Sequence, residues 1–478
     1  VVSNEQSIIH SMRGKNMKLT VIGGGGVRAP LFVGSALKRA SIIHLDEICL
    51  MDIKGEKLEL MAAISRQIGS MMGSAVRITH TTDPVAALAG AAYVVTTIRV
   101  GDEIGRVLDE RIALKHGVLG QETTGPGGFA MAMRSIPAII QYATLIKKHC
   151  PQAWMFNFTN PAGLVAQALN DRGFERIIGI CDGANQAQHA VATRLKVDSR
   201  RLRPQVFGLN HLSWVRSILL DDQEVLLPLL NDFDFLTKTD LKVFQPELVK
   251  CFGMWLNEYL YYYYYSEKAV EQILGDGKTR GEEVLELNQR LLGQLSDTNI
   301  RENPAKTLSL YQGYNQRRGA TYMHYARPDA PSMEQAEQDA ARLVGQEFQA
   351  EEGEGYAGVA LDIIQGLEGS EPIYTALNLK NNGAIPCMSL TDVVEVSCMV
   401  DSGGVHPLPI GEIPEHQELL MRSVKYYEKL AVSAIFEQSR EKAVLALMSH
   451  PLVMSYSRAT VLVDEYLEAH RSYVGEWS

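Results

Sequence analysis

Three short polar stretches between Asn157 and Trp214 hold the residue types most capable of chemistry. They read Asn157-Phe-Thr-Asn-Pro-Ala-Gly163, Gly179-Ile-Cys-Asp-Gly183 and Gly208-Leu-Asn-His-Leu-Ser-Trp214. Asn160 and Cys181 follow two apolar runs one βα repeat apart, and His211 follows a third. A thiolate and an imidazole are soft and borderline ligands that suit a divalent transition metal. Two protein ligands leave coordination positions open, through which an ion could hold a substrate's oxygens. Taken singly, Cys181 also reads as a small buried hydrophobe and His211 as a hydrogen-bonded core histidine.

Such residues need a frame. Lys18-Leu-Thr-Val-Ile22 is an apolar, partly β-branched run that stops at four glycines, Gly23, Gly24, Gly25 and Gly26. The apolar residues after Pro30 have helical spacing. Strand, glycine turn and helix start form the first unit of a dinucleotide-binding fold, with the helix amino end facing the pyrophosphate. A second strand, Glu47 to Asp52, ends on an acid at about the position that binds a ribose 2′-hydroxyl. That favours NAD over NADP, although an aspartate there also suits a helix N-cap. Helix is expected from Lys57 to Ile68 and strand from Ala75 to Thr79. Thr82-Asp83-Pro84 reads as a helix start.

The strand Ala91 to Ile98 delivers Arg99 to its carboxyl end, the edge where open parallel sheets bind ligands. Gly120-Gln-Glu-Thr-Thr-Gly-Pro-Gly-Gly128 is a loop by composition, placed before a helix from Met131 to Lys148, where it could close over a nicotinamide. Strands at Trp154–Phe158 and Arg176–Ile180 bring Asn160 and Cys181-Asp182 to the same edge as Arg99. The alternation predicts an α/β fold: a doubly wound, Rossmann-like and mostly parallel sheet over residues 17–200.

After His211 the pattern changes to a mixed α+β second domain, 201–478. Tyr261 to Tyr265 is a run of five tyrosines, of which one or two would line a cleft. Helices are expected at Glu282–Leu295, at Met333–Phe348 and as one long stretch from Pro414 to Leu447. A strand region is expected at Pro386–Val400. Residues 1–16 read as a poorly ordered extension ahead of Met17.

The 478 residues carry a formal net charge of −10, which argues against a nucleic-acid partner. No eighteen-residue apolar run suggests a membrane span. The six cysteines form no CxxC pair, which fits a reducing cytoplasm.

These motifs together resemble glycoside hydrolase family 4, the NAD- and metal-dependent 6-phosphoglycosidases. The likeness is carried by Val21-Ile-Gly-Gly-Gly25, Ile98-Arg-Val-Gly101, Asp109-Glu-Arg111, the 120–128 loop, Asn157-Phe-Thr-Asn-Pro161, Cys181, Gly208-Leu-Asn-His211, Asn257-Glu-Tyr-Leu-Tyr261, Thr279-Arg280 and Asn381-Asn-Gly383. The resemblance implies NAD at Gly23–Gly26 and Asp52, and a divalent ion such as Mn²⁺ on Cys181 and His211. It implies Arg99, Asn160 and Arg280 on the sugar or its phosphate, Tyr259 as general base and Asp182 as general acid. It further implies a cytoplasmic homodimer or homotetramer acting on a phosphorylated disaccharide or glycoside. Two departures stand out. The glycine turn continues Gly26-Val-Arg-Ala-Pro30, and Cys181-Asp-Gly-Ala-Asn185 lacks a proline-containing turn usual after the cysteine. Asp182 is shared with some α-acting members, whereas Asn157–Pro161 and Asn210-His-Leu-Ser213 look more like β-acting ones. The leading expectation is a 6-phospho-β-glucosidase, with a 6-phospho-α-glucosidase as the alternative. An NAD-dependent hydroxy-acid dehydrogenase and a non-catalytic NAD- or sugar-phosphate-binding regulator are the rivals outside the family.

Overall fold

Leu19, Val21 and Ile22 of the first strand are all buried, which requires cover on both faces of the sheet they join. The computed structural model describes residues 17–300, 302–327, 330–331, 333–342 and 355–478. The extension expected at residues 1–16 lies outside them.

Six strands run parallel: β1 (Met17–Ile22), β2 (Leu45–Met51), β3 (Arg77–Thr81), β4 (Tyr93–Thr96), β5 (Trp154–Asn157) and β6 (Ile177–Gly179). Their spatial order, β3-β2-β1-β4-β5-β6, is that of a doubly wound dinucleotide fold, with its switch point between β1 and β4. The start signal at Thr82-Asp83-Pro84 works as read: Asp83 Oδ1 accepts from Val85 N at 2.9 Å and caps the helix Pro84–Leu88. The helix Pro126–His149 is, among the described residues, the one long and apolar enough to cross a membrane by length and composition. Most of its apolar stretch is buried in the interior, as a core helix is.

Beyond residue 200 the chain extends the same sheet. A hairpin of β7 (Leu202–Leu209) and β8 (Leu212–Leu220) turns through two residues, Asn210 and His211. β9 (Gln223–Glu224) and β10 (Trp255–Leu256) both pair with β8. β11 (Ile373–Lys380) pairs antiparallel with both β6 and β12 (Val393–Asp401). β12 also takes β7 and β13 (Gly404–Pro407). The whole is one 13-stranded mixed sheet among the described residues, so the hairpin turn of β7 and β8 lies near the carboxyl end of β6.

Some boundaries differ from those expected, each for a local reason. The strand region expected from Pro386 begins only at Val393. Residues before it form a loop gathered by the buried Asn381, whose Nδ2 donates to the carbonyls of Ile385, Met388 and Ser389. The long helix expected to Leu447 is two, Glu415–Glu437 and Arg440–Ser449. Gln438 adopts the left-handed conformation between them (φ 51°), and Ser439 caps the second. The helix expected from Met333 is described over Met333–Arg342, and the rest of that reading lies outside the described residues. The strand Ile373–Lys380 carries little alternation of polarity because it is interior to the sheet, and sequence reading passes over it.

Asp109 ties the helix Asp102–Lys115 to Arg134 in the core and to Tyr466 and His470 near the carboxyl end. Its carboxylate accepts two hydrogen bonds from Arg134, at 2.8 and 2.6 Å, and pairs with His470 Nε2 at 2.7 Å; its carbonyl accepts from Tyr466. All four side chains are buried.

Candidate active site

The carboxyl ends of β4, β5 and β6 and the β7–β8 turn supply most of the polar residues here. β4 leads to Arg99 through Ile98, whose N–H donates to Thr159 Oγ1 at 3.0 Å. Asn157, fully buried, accepts from the Thr96 hydroxyl at 3.0 Å and donates to the Thr159 carbonyl at 3.1 Å. It braces the turn that carries Asn160, which is joined to Pro161 by a cis peptide bond. β6 leads to Cys181 and Asp182. His211 sits in the two-residue hairpin turn at φ 63°.

The turn brings His211 onto Cys181: Nε2 lies 3.2 Å from Sγ. Asp182 Oδ1 is 4.0 Å from the same sulfur. The Tyr259 ring stacks on the His211 imidazole, with centroids 3.8 Å apart and planes 6° apart. Asn257 holds that tyrosine in place. Its Oδ1 accepts from Tyr259 N at 3.0 Å, and its own N–H and Nδ2 both bond Ser213 on β8. Tyr322 donates to Glu258 Oε1 at 2.6 Å and also bonds Tyr259.

Burial pushes the Cys181 thiol well up, and Asp182 and Glu395 push it further. Burial lowers His211 to about 4, leaving a neutral imidazole with a lone pair. Tyr259 is raised by burial and then by Glu258, so acids rather than cations surround this phenol. Glu258 itself is raised to about 8, by burial first and then by Asp240. Glu395 on β12 is raised to about 7 by burial. A thiol so disfavoured as an anion loses its proton readily only to a cation that replaces it. Ion–sulfur and ion–nitrogen bonds of about 2.3 and 2.1 Å span a gap like that between Sγ and Nε2, so the pair fits a divalent ion. Among the described residues no group of three or more His, Cys, Asp or Glu side chains gathers as a metal site. An ion held by these two would take its other ligands from water or substrate.

A cationic cluster lies beside this pair. Glu122 in the 120–128 loop forms ion pairs with Arg99 at 2.7 Å and with Arg106 at 3.0 Å. Burial would raise the Glu122 carboxyl, but Arg106 and Arg99 outweigh it and hold it at about 2. Arg280 donates to the Arg318 carbonyl at 2.6 Å, to Glu283 at 3.2 Å and to Thr321. Its pKa falls through burial and then through Arg318 and Arg106, so these guanidiniums crowd one another. Glu110 positions the group by accepting from Arg106 Nε and from Gly281 N, both at 2.7 Å. Crowded arginines of this kind suit a phosphate.

The glycine turn lies at the switch point. Gly23 N and Gly24 N both donate to the Met51 carbonyl at 2.8 Å. A Cβ on Gly23 would stand 2.3 Å from the Thr97 carbonyl oxygen, and φ is 96° there, so only glycine fits. Gly25 N donates to Asp52 Oδ2 at 3.1 Å. Asp52 is therefore part of the turn, not the cap of the next helix, which begins after Lys54. A cavity at Gly23 and Gly26 opens between β1 and β4, bounded by Val21, Val95, Thr97 and Phe158.

Residues 18–197 match the model of family 4 glycosyl hydrolases, and residues 206–453 match that of the family 4 glycosyl hydrolase C-terminal domain. The chain belongs to glycosyl hydrolase family 4. This family 4 chain is 29% identical over 475 residues to a probable 6-phospho-beta-glucosidase of Bacillus subtilis, covering 97% of this chain and 98% of the relative. It is 27% identical to a maltose-6′-phosphate glucosidase of the same species, covering 97% of each. Its structure superposes on the 6-phospho-beta glucosidase of Thermotoga maritima, solved with manganese, NAD⁺ and glucose-6-phosphate. The TM-score is 0.78 at 27% identity, over 97% of this chain and 100% of that one.

Sequence reading alone passes over several residues of this family 4 site. The 120–128 loop contributes Glu122 to the arginines and Thr123 to His211, at 2.9 Å, in addition to any contact with a nicotinamide. Arg106 shares a helix face with Glu110 (i, i+4), a weak signal in retrospect. Arg318, Tyr322 and Glu395 carry no local motif.

Proposed function

We propose that this chain hydrolyses 6-phosphoglucosides, β-linked ones foremost, by a redox-assisted elimination. The observation that carries the reading is the Cys181–His211 pair under the Tyr259 ring, at the ligand-binding edge of a dinucleotide-type sheet. Gly23 to Gly26 and Asp52 would hold NAD⁺, and Cys181 with His211 would hold a divalent ion such as Mn²⁺. When bound, these groups would supply a reversible hydride acceptor and a Lewis acid.

A sugar C2–H is far too weak an acid to ionise at neutral pH until C3 is a ketone. Tyr259 then takes the C2 proton, which its position on His211 allows. Asp182, adjoining Cys181, donates to the departing oxygen at C1. Water would add to C1 and C2 would be reprotonated; with the reversible hydride chemistry that bound NAD⁺ would supply at C3, the net change would be hydrolysis. Arg99, Asn160 and Arg280 would hold the sugar and its 6-phosphate, with Arg106 adding charge. Residues 201–478 would add Arg280, the metal ligand His211 and the base Tyr259 to the site, and the oligomer contacts.

Curated relatives of both anomeric classes match at similar identity. The β reading therefore rests on the Asn157–Pro161 and Asn210–Ser213 motifs. A cytoplasmic location is supported by six unpaired cysteines. A homodimer or homotetramer is supported by Leu419 and Tyr426, exposed one heptad apart on the helix Glu415–Glu437.

A panel of α- and β-nitrophenyl glucosides, with and without 6-phosphate, Mn²⁺ and NAD⁺, tests the reading. Release of nitrophenol from the 6-phospho-β-glucoside, dependent on both cofactors and without NADH accumulation at ~340 nm, is expected. Stoichiometric NADH would instead make the chain a dehydrogenase, and binding without turnover would make it a regulator.

A further inference from the structure

We propose that Thr123 and Gln121 are positioning residues that fix the tautomer of His211, leaving its Nε2 bare to face the Cys181 sulfur. The inference rests on the reading of Cys181 and His211 as metal ligands. It follows from counting hydrogen atoms.

The Gln121 side chain receives the backbone N–H of Thr123 at 2.7 Å and that of Thr124 at 2.7 Å on one atom. Two N–H groups can converge only on an acceptor, so that atom is the amide oxygen. The Thr123 hydroxyl lies 2.9 Å from the same oxygen and must donate to it. A hydroxyl has a single hydrogen. Toward His211 Nδ1, 2.9 Å away, Thr123 Oγ1 can therefore only accept. Nδ1 then carries the proton, and in a neutral imidazole Nε2 carries the lone pair. Nε2 is the nitrogen 3.2 Å from Cys181 Sγ.

All three side chains are buried, with Gln121 7%, Thr123 8% and His211 6% exposed, so water has little access to exchange these roles. The loop is held from two further sides. A Cβ on Gly128 would come within 2.3 Å of the Thr123 carbonyl oxygen, so the helix start packs directly on the turn. Glu122 anchors the neighbouring position to Arg99 and Arg106. The second nitrogen of a ligating histidine commonly finds such a partner, and losing it lowers metal affinity by about 10–100-fold.

The test uses the full chain, stripped of metal and titrated with Mn²⁺, with the free ion followed by electron paramagnetic resonance. Thr123→Val keeps the shape and the backbone bonds to Gln121 but removes the acceptor. It is expected to weaken Mn²⁺ binding about 10–100-fold. Thr123→Ser, which keeps the hydroxyl, is expected to remain within about threefold of the parent, well short of that loss. Parent-like affinity in Thr123→Val, with binding abolished by His211→Ala, would overturn the inference; so would equal losses in the Val and Ser variants. If His211→Ala binds Mn²⁺ like the parent, the metal site itself is wrong and the inference falls with it. The ¹⁵N spectrum of His211 in the metal-free parent gives an independent reading that needs no variant at position 123. A proton on Nδ1 supports the assignment and one on Nε2 contradicts it.

Discussion

Neither Cys181 nor Tyr259 is ionised by its protein surroundings, since burial and neighbouring acids raise both. These two side chains are therefore favoured in their neutral forms until a cation enters. As the proposed base, Tyr259 would depend for its competence on what is bound beside it. Tyr259→Phe is expected to lower kcat by about 10²–10⁴-fold, the usual worth of a general base, with little change in Mn²⁺ affinity. An unchanged kcat would remove the residue from the mechanism. Glu258 gives a second prediction at this scale. Its folded pKa, about 8, is above the ordinary 4.5, so its contribution to stability is full below about pH 4.5 and is lost as pH rises through about 8. Glu258→Gln takes no part in that titration. Urea unfolding of the metal-free protein is expected to show the parent losing stability relative to the variant between pH 5 and pH 8. Parallel pH slopes would mean that Glu258 stays ionised in the fold.

At the scale of elements, the parallel sheet and its glycine turn are legible in the sequence because each strand is a short apolar run closed by turn residues. The local physics of β1 to β6 is sufficient to place Gly23, Asp52, Arg99, Asn160 and Cys181 on one edge. The β7–β8 hairpin is less legible, because Asn210-His211 lacks the glycine that marks most two-residue turns. His211 is recognised by its residue type and family motif, and its approach to Cys181 depends on β12 and β11 joining the sheet between β7 and β6. Such non-local pairing leaves no periodic trace. Composition marks 120–128 only as a loop; that its glycines let it pack closely on the helix start is not legible there. Gly128→Ala is expected to cost about 1–3 kcal/mol in unfolding free energy, because the added methyl overlaps the Thr123 carbonyl. Mn²⁺ binding should weaken in the same variant. Unaltered stability would show that the loop can yield.

For the whole molecule, the buried Asp109 joins the helix Asp102–Lys115 to Arg134 in the core and to His470 near the carboxyl end. The sequence motif containing Asp109 therefore contributes to cohesion, while the adjoining Glu110 orders the arginine cluster. Asp109→Asn leaves the Arg134 charge without its counter-ion and is expected to destabilise the protein by roughly 3–5 kcal/mol. Chemical denaturation measures this, and a loss under about 1 kcal/mol would mean the pair is dispensable.

The central claim is that a proton leaves C2 during a reaction whose net result is hydrolysis. It is tested most directly by cleaving a 6-phospho-β-glucoside in D₂O with NAD⁺ and Mn²⁺ present, then examining the glucose 6-phosphate by NMR. Deuterium at C2 is the predicted result. Product formed at full rate with only protium at C2 would contradict the account.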